Sequence, residues 1–130
     1  MTTPTKLLEY LTENYSSFSQ PTLLEIGIHD QIKAAVGDSF TEKTIQKLLA
    51  RYTQSARYNA SVIEYLDWEC HRSNLDGSAG SPVSSESKRH HVGKFLKALE
   101  RKALKEDVSH YAELREQAIE WLEEQVSMTL

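Results

Sequence analysis

Residues 41–58 read TEKTIQKLLARYTQSARY, and the architecture of the chain follows from them. Thr41 offers a side-chain oxygen just ahead of a helical pattern, the position where an N-cap satisfies an unpaired backbone N–H. Ile45, Leu48, Leu49 and Tyr52 then recur at the three- and four-residue spacing of one helical face, which predicts a helix over residues 41–53. Ser55 is a second cap, opening a short helix that carries Arg57 and Tyr58. Two capped helices in eighteen residues, with no alternation of period two, set a mostly α-helical expectation.

Outward from this centre the same grammar recurs. Pro4, with Leu7, Leu8 and Leu11 behind it, predicts a helix over about residues 4–14, because proline suits a first helical turn. Residues 15–20 are polar and end at Pro21, so they read as a connection. The apolar run Leu23, Leu24, Ile26, Ile28 turns helical after Gly27 and stops at Gly37. Asn74-Leu75-Asp76-Gly77 has hairpin-turn chemistry. Ser84 or Ser85 caps a helix whose apolar face holds Val92, Phe95, Leu96 and Leu99. Val108, Tyr111, Ile119, Leu122 and Val126, with Trp121 beside them, mark a last acidic helix over about residues 106–127. The expected fold class is mostly α with a small β-hairpin element (α+β).

The composition is that of an ordinary globular domain. The chain has 130 residues, 39% hydrophobic and 26% charged, which is enough apolar material for a core without staples. A single cysteine, Cys70, excludes an internal disulfide and fits a reducing compartment. Residues 1–6 lack the charged-then-apolar layout of a signal peptide, and no apolar run reaches the roughly 18–20 residues of a membrane span, so a cytoplasmic location is expected. The net charge of −4 conceals a segregation. Residues 38–102 carry eleven Lys/Arg against eight Asp/Glu, whereas residues 103–130 carry two against seven. A basic middle and an acidic tail point to an anionic partner for the middle.

Candidate chemistry is sparse. Cys70, His71, His90 and His91 are the one possible metal cluster, and their spacing matches no zinc signature. Cys70 and His71, as neighbours on a strand, would point to opposite faces and cannot form a nucleophile pair. There is no Gly-rich phosphate loop of the Walker or dinucleotide type. These observations lead to a protein that is no enzyme and uses no cofactor or metal. Lys43, Lys47 and Arg51 stack along one side of the 41–53 helix. On pattern alone they are a solvated face, just as Tyr58 alone is a core residue beside a surface Arg57.

Three elements in order say more than the periodicity does. Leu24-Glu-Ile-Gly-Ile28, Arg51-Tyr-Thr-Gln-Ser-Ala-Arg-Tyr58 and His71-Arg-Ser-Asn-Leu-Asp-Gly77 together resemble the ProQ/FinO family of bacterial RNA-binding proteins. The resemblance covers about residues 7–102. It implies binding of structured RNA, small RNAs and mRNA 3′ ends, where a terminator hairpin precedes a uridine-rich tail, with protection of such RNAs and assistance in their pairing. It also implies that Tyr58 and Arg72 line a pocket for the 3′ end. The chemistry is coherent, since an A-form stem cannot be read in its narrow groove and recognition falls to phosphates, hydroxyls and single-stranded ends. The N-terminus of the helix opening at Thr41 would suit a terminal phosphate, and Lys43, Lys47, Arg51 and Arg57 would hold the backbone.

The chain departs from the family pattern at several positions. Glu25 stands where many members have lysine, and Glu42, Gln46 and Ala50 stand where the matching helix is often basic. The expected organisation is an RNA-binding domain over residues 1–104 and an acidic amphipathic helix over 105–130. That helix would dock on the domain or on a second copy of the chain. The competing reading is a protein-interaction module of the same fold with weakened RNA binding.

Overall fold

The computed structural model describes residues 3–129. Among them the chain forms helices α1 (Pro4–Asn14), α2 (Ser16–Ser19), α3 (Ile28–Val36), α4 (Glu42–Tyr52) and α5 (Ala56–Ala60). A hairpin of β1 (His71–Ser73) and β2 (Ala79–Pro82) follows, then α6 (Ser85–Ala103) and α7 (Ala112–Thr129). None of these helices is long and apolar enough to cross a membrane. The mostly helical expectation with one hairpin is met.

Thr41, Ser55 and Ser84 cap helices as expected, and Thr3 adds a cap for α1 that the sequence reading did not name. Thr3, Thr41, Ser55 and Ser84 each accept a hydrogen bond from the backbone N–H three residues on, at 3.1–3.2 Å. Gly27, at φ +89°, turns the chain into α3 in a left-handed conformation that costs glycine nothing. Lys33 closes the other end of α3 by donating to the carbonyls of Gly37 and Phe40. The hairpin loop is Leu75, Asp76 and Gly77, closed by Asn74 N–H on the Ser78 carbonyl, with Gly77 again at φ +89°.

Leu7, Leu11, Phe18, Ile32, Ile45, Val92 and Phe95 lie at or near zero exposure in one continuous core. Each contributes roughly 1.5–3 kcal/mol by burial. The short α2, which the polar composition of residues 15–20 hid, exists because Phe18 and Ser17 turn inward. Ser17 Oγ donates to the Asn74 carbonyl and Gln31 bridges Asn74 and Leu75, so α2 and α3 together grip the hairpin turn. Lys88 is buried on α6 and donates to the carbonyls of Trp68 and Leu66, tying the 63–68 turn to that helix.

The last helix begins at Ala112, later than the expected residue 106. Asp107 accepts from Ser109 N–H, and a single 3-10 turn over Ser109–Tyr111 intervenes. The docking seam keeps Val108, Tyr111, Trp121 and Leu122 of the expected stripe, all packed in or against the core. Ala118 and Trp121 join the main core, Ile119 and Leu122 are half-buried, and Val126 is exposed. The helix therefore belongs to the same core as the rest. Trp121→Ala is expected to lower unfolding free energy by about 3–5 kcal/mol, read as a reduced urea midpoint with an unchanged slope.

Candidate functional site

The segment Leu23–Glu25 lies alongside β1 and pairs with it in parallel. Ser73 N–H donates to the Leu23 carbonyl at 2.7 Å, and Glu25 N–H donates to the Ser73 carbonyl at 2.9 Å. Alternation then turns the N–H and C=O of Leu24 away from β1, where no strand receives them. Two side chains do. Leu24 N–H donates to the Tyr58 hydroxyl at 2.9 Å, and Arg72 Nη1 donates to the Leu24 carbonyl at 3.2 Å. One residue, through its two flanking peptide units, thus brings together the two side chains that the sequence places fourteen positions apart.

Around this junction is a pocket of about 380 Å³. That is the small end of the roughly 300–1,000 Å³ of small-molecule sites, enough for a nucleotide and too small for a duplex. Tyr58 and Arg72 line it with Leu49 of α4 and its C-cap Thr53, and with His90, His91 and Lys94 from α6. Ile26, 80% exposed, forms an apolar lip. Tyr58 is only 3% exposed, its ring packed on Tyr52 at 5.2 Å, so it is at once a core residue and the floor of the pocket. Burial raises its pKa against the opposing pull of Leu24 N–H and Arg72, so the hydroxyl keeps its proton and can donate it outward.

His91 is the polar residue that sequence reasoning misjudged here. It is 7% exposed, and its Nδ1 lies 2.8 Å from Oδ1 of the fully buried Asn59. Burial above all, then the charges of Arg72, His90 and Lys94, push its pKa down to about 4.

The other expected site residues are elsewhere. Leu49 and Thr53 mark the side of α4 that meets the pocket, and Lys43, Lys47 and Arg51 point to other sides of that helix. Arg51 and Arg57 flank a separate depression with Pro4, Thr5 and Leu8 of α1. Lys43, Lys47 and Thr41 are exposed and line neither, and the Thr41 hydroxyl caps Thr44 N–H. The basic surface that does adjoin the pocket is on α6. His90 and Lys94 at its rim continue into Lys97 and Arg101, spaced i, i+4, i+7, i+11 on one face, with Arg89 beside them.

Glu25 is turned from the position of an anion contact. Its carboxylate accepts from the backbone N–H and hydroxyl of Ser81 and from Ile26 N–H, and the Ser81 bonds hold its pKa below the ordinary carboxylate value. Gly80 makes room for it, since a Cβ there would collide with the carboxylate. The opposite sign of charge lies between residues 63–68 and α7, where Glu64, Asp67, Glu120 and Glu124 line a cleft unsuited to phosphate. No residue of α7 lines the Tyr58–Arg72 pocket or the α6 depression among the described residues. No group of three or more potential metal-ligating side chains occurs among the described residues either.

The sequence model of the ProQ/FINO family matches residues 1–109. The fold is similar to the crystal structure of NMB1681 from Neisseria meningitidis MC58, a FinO-like RNA chaperone. That match has a TM-score of 0.59 and 18% sequence identity, covering 79% of this chain and 85% of that one. At that identity the likeness is one of fold. No curated protein matches the chain.

Two tyrosines give contrasting predictions. Tyr58→Phe strands the buried Leu24 N–H and is expected to cost about 1–3 kcal/mol. The Tyr52 hydroxyl is buried with no partner, so Tyr52→Phe is expected to leave stability unchanged or raise it by up to about 1 kcal/mol. Urea unfolding of both variants checks this. His91 adds a pH dependence. The unfolded chain takes up a proton near pH 6.5 that the folded chain refuses until about pH 4, so the stability is fully present above that window and is lost as pH falls through it. Between pH 7 and pH 5 the loss is on the order of 1–2 kcal/mol, and it disappears in a His91→Gln variant.

Proposed function

Because this chain belongs to the ProQ/FINO family, we propose that it is a non-catalytic RNA-binding protein. It takes the 3′ end of structured transcripts, a terminator hairpin with a U-rich tail, into the pocket of Tyr58 and Arg72. In doing so it stabilises small RNAs and assists RNA pairing. One observation carries the reading: the Tyr58 hydroxyl and the Arg72 guanidinium converge on Leu24 at a nucleotide-sized pocket that opens onto the basic face of α6.

Each part has a chemical task. Arg72 uses one N–H on Leu24 and keeps four for a phosphate. The Tyr58 hydroxyl, already accepting from Leu24, donates its proton to the ligand. Ile26 offers a surface against which a base can pack. His90, Lys94, Lys97 and Arg101 follow the backbone of the stem or tail, where each neutralised phosphate releases counterions. Lys43, Lys47, Arg51 and Arg57, away from the pocket, contribute attraction at longer range, screened over roughly 8–10 Å. The RNA-binding unit is residues 1–104. Residues 105–130 add a docked acidic helix that keeps its negative charge off this face.

The alternative, a protein-interaction module, is favoured by one observation, the 71% exposed Trp68 beside the acidic cleft. A gel shift with a terminator hairpin separates the two readings. Under the RNA reading, Arg72→Ala weakens binding by about 10-fold or more, the size of a lost charged contact. A 3′-phosphate or a 5′ tail in place of the 3′ tail weakens it as well. Lys97→Ala weakens all RNAs more than Lys47→Ala does and reduces the salt dependence. Equal affinity for all ends would mean general electrostatic capture.

A further inference from the structure

Asn59 determines which way His91 holds its proton. Asn59 Nδ2 donates to the carbonyls of Thr53 at 3.0 Å and Ser55 at 2.9 Å. Carbonyls only accept, so the atom facing them must be nitrogen and the amide has a single possible orientation. The atom facing His91 is then the oxygen Oδ1, which also only accepts. His91 Nδ1, 2.8 Å away, must therefore carry the hydrogen. In the neutral ring the other nitrogen, Nε2, is left with a bare lone pair. Among the described residues Nε2 meets no hydrogen-bond partner. Unlike Nε2 of His29, it is not sealed from solvent, and the ring lines the pocket. Burial above all, with Arg72 from β1 and His90 and Lys94 from α6 close by, disfavours adding a second proton.

The Glu25 carboxylate at the pocket is engaged by Ser81 and Ile26, so Nε2 of His91 is a fixed acceptor left open to a ligand among the donors of Tyr58, Arg72 and Lys94. A phosphate oxygen offers only lone pairs and would be repelled there. We propose that His91 is a specificity-determining residue of this pocket, its Nε2 accepting a hydrogen bond from a donor on the terminal nucleotide and making no phosphate contact. Two groups of an RNA end supply such a donor: a ribose hydroxyl and the N3–H of uracil. The inference rests on the 3′-end reading above and adds to it the demand for a donor at a defined place.

The test uses the full chain, wild type and His91→Leu, with a terminator hairpin ending in uridines. The last nucleotide is natural, 2′-deoxy, 3′-deoxy or N3-methylated, and a 3′-phosphate RNA is the control. One of the three donor deletions is expected to weaken wild-type binding by about 10-fold. His91→Leu weakens natural RNA by a similar factor and shows no further loss with that RNA. The sensitive RNA identifies the donor as the 2′-hydroxyl, the 3′-hydroxyl or the base. If His91→Leu weakens every RNA equally, the inference is overturned and the role of His91 is structural. If wild type binds 3′-phosphate and natural RNA alike, the 3′-end reading itself falls. Nitrogen-15 spectra of wild-type His91 need no variant to fold. They are expected to show a protonated Nδ1 and a bare Nε2, with Nε2 shifting on RNA addition. A doubly protonated ring in the complex, or a bare Nδ1, overturns the inference.

Discussion

A backbone amide and carbonyl removed from water must find partners, and at Leu24 no strand provides them. The chain meets this requirement with the Tyr58 hydroxyl and Arg72, one from the α5 helix and one from the hairpin. Everything around the pocket depends on that arrangement. It fixes how deep α5 sits, sets the hairpin against the Leu23–Glu25 segment, and brings Tyr58 and Arg72 together at the pocket without a rigid scaffold of their own. Glu25 and Gly80 complete the same joint from the next residue, where the carboxylate holds Ser81 and the missing Cβ admits it. A lysine at residue 25 could not accept those N–H and O–H bonds, so the negative charge at this position is tied to local structure.

Much of the fold was legible because its signals are local. Thr41, Ser55 and Ser84 cap helices in the structure as their chemistry requires, and the Asn74–Gly77 turn closes a hairpin. The α2 helix was not legible, since four residues carry no period and only the inward Phe18 justifies it. The start of α7 was misplaced because Asp107 acts as a turn acceptor inside an acidic run, where it resembles any other helix acid. The docking seam gained Ala118, a small residue that lets the helix approach closely, while Trp121 and Leu122 pack as expected and Val126 is exposed.

The site was half readable. The motif resemblance led to Tyr58 and Arg72, which the fold does bring together. The basic stripes show the limit of periodicity. Lys43, Lys47 and Arg51 on α4 and His90, Lys94, Lys97 and Arg101 on α6 are both regular, and nothing along the chain distinguishes them. What does is which helix face borders the pocket, a property of packing. Lys88 illustrates the converse, as its charge is committed to two carbonyls in the interior although its neighbours on α6 face solvent. His91, named from the sequence only within a weak metal cluster, was misjudged because its role depends on Asn59, thirty-two residues earlier, and on the two carbonyls that orient that amide.

The parallel bridge between Leu24 and Ser73 has a consequence for association as well as for the pocket. A strand added to the end of a two-stranded ribbon ordinarily leaves an open row of peptide groups, and such rows recruit other chains into extended aggregates. Here the outward groups of Leu24 are already taken by the phenol of a core residue and by a half-buried guanidinium, both of which an incoming strand would have to displace. The two side chains that border the pocket therefore also act as stoppers against strand pairing at Leu24. Evolution of a new ligand preference at either position would have to preserve that barrier. A substitution that keeps the pocket's shape but loses the hydroxyl or the guanidinium would trade specificity for a tendency to self-stack.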